Sequence, residues 1–509
     1  MGLGHHKLAF HRASIDVPTF RLREQEEEEY NAAALTSADD YLSPYEDKSR
    51  SVFHRIESSR FLQTFLRYPA PDSLKLKPTS WLDGVRGVAA LEVYVFHTIS
   101  CWRTIFPAFG AQSDQMSLIQ LPVIRSFFVT GGTAVCVFFV LSGYVLTYKS
   151  LRWMRAGTPQ HVYPSVASSM FRRGFRLYLP PILLTFVEML VTRLGYSPPL
   201  NFDFVPEATF GAALLDWLKE TCYLVNPYYN FVPAIQGFVI HPKYDPVIWT
   251  IPLEFYGSFT VYILLLLVAR LPSHGARMAL VALFAVAAMF LGSWNAFCFA
   301  AGMLLADYNL AQEADGSRPG LRPPKHRTLW IAILVAALYL AGFPTLSYEE
   351  AHRWPMPGYE TLRALIPVSL NMMDHARWWW SFAGVGLLFC VSQLPALRSV
   401  FESNLCQYLG RIAFSLYLVH QLCVIVFGLW LQNALLWLFG VPTHSMTWLY
   451  WAISLLWYVP FTTVVFAFAA LVERFVDQGS VRFARWLESK CLELYRTLTA
   501  RRKGMYRPL

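Results

Sequence analysis

The stretch Phe127-Phe-Val-Thr-Gly-Gly-Thr-Ala-Val-Cys-Val-Phe-Phe-Val-Leu-Ser-Gly-Tyr-Val-Leu-Thr-Tyr148 runs for 22 residues without a charged side chain and then meets Lys149, Arg152 and Arg155. A helix needs about 20 apolar residues to cross a hydrocarbon layer about 30 Å thick, so this segment is long enough to span a bilayer. The chain around it is of the same kind. Of its 509 residues, 55% are hydrophobic and only 15% charged, against about 25% charged in soluble domains. That composition excludes a string of soluble domains, and equally a collagen-like, disordered or disulfide-scaffold chain. What remains is an all-α polytopic membrane helix bundle.

Apolar stretches recur near 84–103, 127–148, 177–195, 247–269, 276–292, 293–307, 328–344, 379–395, 411–431 and 447–472. They predict about ten transmembrane helices. The fifth and sixth nearly touch and read as a tight hairpin or one broken span, and the third is led by Pro180 and Pro181. Between the second and third lie Lys149, Arg152, Arg155, Arg172, Arg173 and Arg176 with no acid among them, which marks that connection as cytosolic. Alternation then places both termini in the cytosol, along with Arg318, Arg322, Lys325 and Arg327, and it puts the 196–246 loop outside.

Residues 1–80 are polar, include the acidic run Glu26 to Glu29, and read as a disordered cytosolic N-terminal tail. Nothing at the start reads as a secretory leader. Residues 81–475 form the transmembrane domain and 476–509 a basic cytosolic C-terminal tail. The net charge of +9 sits between apolar stretches, so it speaks for a lipid bilayer partner and against nucleic acid. The eight cysteines form no CxxC pair and no Cys/His cluster, and no metal site is expected.

An ionisable group inside a span costs several kcal/mol unless paired or wet, and is a functional candidate for that reason. The first span carries Asp83, Arg86, Glu92 and His97. Arg86 and His97 are eleven residues apart, so they share a face about 16 Å apart along the axis. A neutral imidazole near pH 7 suits general-base work on a hydroxyl, although a core histidine bonded across helices explains His97 as well. In the second span, Ser142 and Gly143 either let helices approach closely or line a pocket beside His97. Arg173 and Arg176, one turn apart with Arg172 beside them, are a membrane-edge anchor or a clamp for phosphates. Glu254 is buried by pattern at the start of the fourth span, which Pro252 should kink. Ser415, Tyr417 and His420 project inward or toward the far interface from the ninth span, and His420 reads as structural.

In this order the segments resemble the acyltransferase-3 family of integral membrane O-acyltransferases. The motifs are LDGVRG…H (Leu82 to His97), FFVLSGY (Phe138 to Tyr144), the RRxxR before the third span, W-T-x-x-x-E (Trp249 to Glu254) and LGRIAFSLYLVH (Leu409 to His420), with Val472-Glu473-Arg474 as the close. The resemblance covers about residues 80–480. It implies transfer of an acyl group, often acetyl from acetyl-CoA, to an acceptor hydroxyl. Arg86 and His97 match the family's essential pair, Arg173 and Arg176 its RxxR element, and Glu254 its fourth-span acid. The bacterial form of the Trp motif, W-S-L-S-x-E-E, is replaced here by Pro252 and a single Glu254, which is similar to the fungal branch. The resulting expectation is an endomembrane enzyme, in the endoplasmic reticulum or a related compartment. Acyl-CoA is the donor and a hydroxyl-bearing small molecule, lipid or carbohydrate the acceptor. His97 is the general base, Glu254 or Glu92 orients it, and the arginines grip the donor phosphates. The rival reading is a transporter or channel in which Arg86, Glu92, His97 and Glu254 relay ions or protons.

Overall fold

The computed structural model describes residues 76–100, 106–112, 116–196, 204–226, 242–271, 273–314, 326–346, 353–367, 374–443 and 447–505. The expected N-terminal tail lies almost entirely outside the described residues. The helices are α1 (Ser80–Ser100), α2 (Gly131–Arg155), α3 (Val162–Thr192), α4 (Phe210–Val225), α5 (Thr250–Val268), α6 (His274–Phe290), α7 (Trp294–Ala314) and α8 (Arg327–Ala341). There follow α9 (Glu360–Ala364), α10 (Arg377–Gln393), α11 (Pro395–Phe401), α12 (Asn404–Cys423), α13 (Leu429–Leu438), α14 (Trp448–Val472) and α15 (Gln478–Met505). Among the described residues there is no strand.

Each of the ten apolar stretches falls on helix. Five helical segments are long and apolar enough on their own to cross a membrane: Gly131–Arg155, Pro159–Thr192, Pro246–Val268, Asn404–Leu438 and Trp448–Thr499. A sixth is added if α10 and α11, bent by 101° at Leu394, count as one broken span. The others fall short for visible reasons. Helix α1 carries Asp83, Arg86 and Glu92, α6 and α8 have only 17 and 15 residues, and α7 ends on the polar run from Asp307 to Glu313.

Local chemistry explains where the helices start. Ser273, Thr209, Ser403 and Thr447 each accept a backbone N–H of the first turn of α6, α4, α12 and α14, satisfying a donor that has no partner within the helix. Asp245 does the same for the short 3-10 turn Pro246–Trp249 that leads into α5. Pro252 therefore sits in the first turn of α5, where no intrahelical N–H is needed. Helix α3 begins at Val162 and runs through Pro180 and Pro181, fifteen residues before the expected third span. The α6–α7 boundary is a true hairpin: Gly292, at φ 84°, makes the turn, and the two helices pack on each other. The basic stretch after α14 is helical, entered through a π turn at Glu473–Asp477, and α15 packs along α3.

Glycines set the closest helix contacts. A Cβ on Gly143 would collide with the backbone of Phe299, and one on Gly302 with that of Val140, so α2 and α7 meet backbone to backbone. Helices α1 and α12 meet in the same way. Gly87 lies against Leu409 and Gly410, and Gly410 against Asp83, while Gly84 lies against Phe401 at the end of α11. Without side chains between them, these pairs have their register fixed by the contact itself.

Candidate active site

Two polar regions are built into the bundle, and helix α1 runs through both. At the end where α1 begins, Arg86 donates through Nε and Nη2 to the Gly410 carbonyl of α12 (3.2 and 2.7 Å) and pairs with Asp83 at 3.0 Å. Beside it, Arg173 of α3 is ion-paired with Glu254 of α5 and donates through Nε to Ser258 Oγ. Ser142 of α2 donates to the same Glu254 carboxylate at 2.5 Å, and the Ser258 hydroxyl returns a hydrogen bond to the Glu254 carbonyl at 2.6 Å. Three helices are thus tied by one carboxylate. Ser258 was not anticipated, although its place one turn after Glu254 put it on the same face of α5.

The neighbouring arginines differ in what they hold. Arg172 points to Glu488 of α15 at 3.4 Å. Arg176 is exposed, and the charges that act on it are Asp477, Arg86, Arg173 and Arg485. The π turn after α14 carries Glu473 and Asp477, both nearly buried, and Glu473 faces Arg411 at 3.5 Å. Extra-residue turns of this kind concentrate at functional sites because they re-aim side chains.

The second region lies toward the other end of α1. His97 stacks at a tilt on His420 of α12, with ring centroids 5.2 Å apart and planes 35° apart. The His420 ring is fully buried and also meets Tyr94 edge-on at 6.5 Å and Tyr417 at 6.2 Å. Phe96 flanks His97 at 5.1 Å. The imidazole of His97 is therefore turned into the bundle toward α12, and it keeps part of its surface open. One turn and a half earlier, Glu92 accepts from Thr130 of α2 at 3.1 Å.

These contacts redistribute the expected residues. Glu92 meets Thr130 at one end of the α1–α2 pair, and Trp81 meets Tyr144 at the other, so the helices run antiparallel and Ser142 is level with roughly Asp83. That is about 14 residues, or about 20 Å along the axis, from His97. Ser142 and Glu254 accordingly belong to the arginine region and not beside His97, and the partner of Glu254 is Arg173. Gly143 is engaged in packing against α7. His420, read as structural from the sequence, is the residue that α12 brings to His97. The available signal was its position at the end of a motif on the inward face that also carries Tyr417.

Comparison with known proteins follows the same boundaries. Residues 79–473 match the family model described as an acyltransferase domain. The chain is 32% identical over 442 residues to the O-acetyltransferase PaAT-1 of Phomopsis amygdali, covering 82% of this chain and 86% of that protein. It is 26% identical over 494 residues to acyltransferase clz18 of Cochliobolus lunatus, covering 86% and 99%. It is 25% identical over 425 residues to acyltransferase R4 of Phoma sp., covering 72% and 86%. No solved structure matches it.

Proposed function

Because the chain belongs to the acyltransferase-3 family, and is on that ground an integral membrane O-acyltransferase, we propose that it moves an acetyl group from acetyl-CoA to a hydroxyl of a small-molecule acceptor, with His97 as general base. The single observation that carries this reading is the course of α1. It links a basic end, where Arg86, Arg173 and Arg176 gather, to an imidazole turned inward against α12. The name of the relative PaAT-1, an O-acetyltransferase, supports acetyl as the group moved.

In this proposal the ten apolar segments each cross an endomembrane, that of the endoplasmic reticulum or a related compartment, and the basic end and both termini face the cytosol. The donor nucleotide docks at that end. Arg176, exposed and without a direct hydrogen bond or ion pair among the described residues, meets its phosphates first. Arg173 is held in place for the same task by Glu254 and Ser258, and Arg86 stands next to it. The extended pantetheine arm follows the α1 face inward over the three turns, about 16 Å, that separate Arg86 from His97. There the acceptor oxygen attacks the thioester carbonyl while His97 takes the hydroxyl proton. The tetrahedral intermediate collapses, the C–S bond breaks, and the departing sulfur takes the proton back from the imidazolium. The products are the ester and free CoA. Base assistance of this kind is worth about 10²–10⁴-fold.

The test uses full-length protein in detergent or nanodiscs with radiolabelled acetyl-CoA, and a metabolite extract of a deletion strain as acceptor. Label should pass from donor to an extract component, and His97→Ala should stop it. Coenzyme A should also raise the melting temperature of the parent, as any ligand bound only to the folded state does, and Arg173→Ala and Arg176→Ala should each reduce that shift. Transfer undiminished in His97→Ala refutes the assignment of the base.

A further inference from the structure

A histidine that takes a proton in an apolar site needs a partner for its other ring nitrogen, both to hold the reactive tautomer and to stabilise the imidazolium that forms. The carboxylates expected to serve His97 are engaged elsewhere: Glu254 by Arg173 and Ser142, and Glu92 by Thr130. What does stand beside His97 is His420. Its Nδ1 lies 3.1 Å from the Leu416 carbonyl. A carbonyl only accepts, so Nδ1 carries the proton and Nε2 is left with a bare lone pair. That Nε2 is buried and has no hydrogen-bond partner, and leaving a buried acceptor without a partner is unfavourable.

The juxtaposition is built by the backbone. Gly87 to Gly410 and His97 to His420 share the same offset of 323 positions, so α1 and α12 run parallel in matched register from their glycine contact onward. Arg86 bonded to the Gly410 carbonyl secures that register at one end. Ten residues further on, the two rings sit at 5.2 Å between centroids, a gap that one N–H···N hydrogen bond bridges when the His97 ring turns about its own Cβ–Cγ bond.

We propose that His420 is the positioning residue of the transfer site. Its Nε2 accepts the N–H of His97 that is not used on the acceptor, fixing the tautomer of His97 in the resting state and stabilising its imidazolium during transfer. His420 keeps its own Nδ1 proton throughout, and no net proton moves to it. The proposal rests on His97 being the base, and the two fail separately.

The labelled-acetyl assay with the deletion-strain extract tests it on four full-length variants. His420→Phe fills the volume without an acceptor and should lower turnover about 10- to 100-fold, with the donor KM within about twofold of the parent, the loss expected when an imidazole loses its orienting partner. His420→Gln places a carbonyl oxygen near the Nε2 position and should recover most of that loss. His420→Asn reaches only the Nδ1 position and should not. Turnover retained in His420→Phe, or Gln and Asn variants equal to each other, overturns the proposal. The Gln–Asn comparison decides the matter even where the Phe variant fails to fold, as judged by size-exclusion profile and melting temperature. Transfer surviving in His97→Ala instead removes the reading on which the proposal stands.

Discussion

The basic end and the imidazole end of helix α1 solve the same problem, polar groups inside an apolar bundle, in opposite ways. At the basic end the charges are cross-tied: Glu254 alone accepts from Arg173 and Ser142 while its backbone accepts from Ser258, and Arg86 is shared between Asp83 and the Gly410 carbonyl. Such contacts hold Arg86 and Arg173 in place, while Arg176 is exposed and has no hydrogen bond or ion pair among the described residues. At the imidazole end two rings meet at a tilt, with no ion pair among the described residues, and one ring nitrogen has no partner. The first arrangement suits holding a charged group at an entrance. The second suits moving a proton, because a neutral imidazole can take one up and give it back near pH 7. In the proposed function, binding and chemistry are set apart along one helix.

That division can be broken experimentally, and the variants should rank by how they touch it. His97→Ala comes first, with transfer falling about 10²–10⁴-fold while expression, membrane insertion and coenzyme A-dependent stabilisation stay intact. If donor binding fell with it, the two regions would not be separate. Glu254→Ala comes second. It strands Arg173, and removing one partner of a buried pair costs about 3–5 kcal/mol when burial is complete. The cost should be lower here because both side chains keep 14% of their surface. A clear drop in melting temperature together with a raised donor KM is expected, and a pure loss of turnover with KM unchanged would move Glu254 back to the imidazole.

Smaller effects sharpen the comparison further. Gly143→Ala should cost about 1–3 kcal/mol through overpacking against Phe299, lowering the melting temperature while leaving the donor KM alone. A changed KM with no loss of stability would place Gly143 at the donor site. Arg176→Ala should raise the donor KM roughly tenfold, the worth of one charge-assisted hydrogen bond, with the parent's melting temperature. Arg172→Ala should do least. Its 3.4 Å pair with Glu488 is partly exposed, pairs of that kind contribute about 0–1 kcal/mol, and the donor KM should not move.

Much of this architecture could be read along the chain because bilayer burial writes itself into composition. A segment such as 127–148 has to be apolar and helical whatever it packs on, and all ten such segments are helical. Departures occur where a helix outruns its apolar stretch. Helix α3 starts at Val162 because Arg172, Arg173 and Arg176 are as compatible with helix as the residues after them, and α15 continues α14 through a π turn. Hydropathy has no term for either. Within the candidate site, the polar residues could be picked out along the chain and their grouping could not. The sequence offers Glu254 or Glu92 as the partner of His97, and Glu254 lies about 20 Å from that imidazole, because spacing along one helix says nothing about which neighbour a side chain faces.

By itself the sequence determined that the chain is an apolar helix bundle, which residues are too costly to bury without a purpose, and, through dispersed motifs, that it resembles the family whose model it matches. These follow from one-dimensional properties: hydrophobic length, charge and order. Only the tertiary structure decided that Arg173 and not His97 is the partner of Glu254, and that His420 stands beside His97. The reason is physical: helix pairing is settled by where two backbones approach, here at Gly84, Gly87 and Gly410, and a contact between residues 323 positions apart depends on the fit of two surfaces that no local stretch contains.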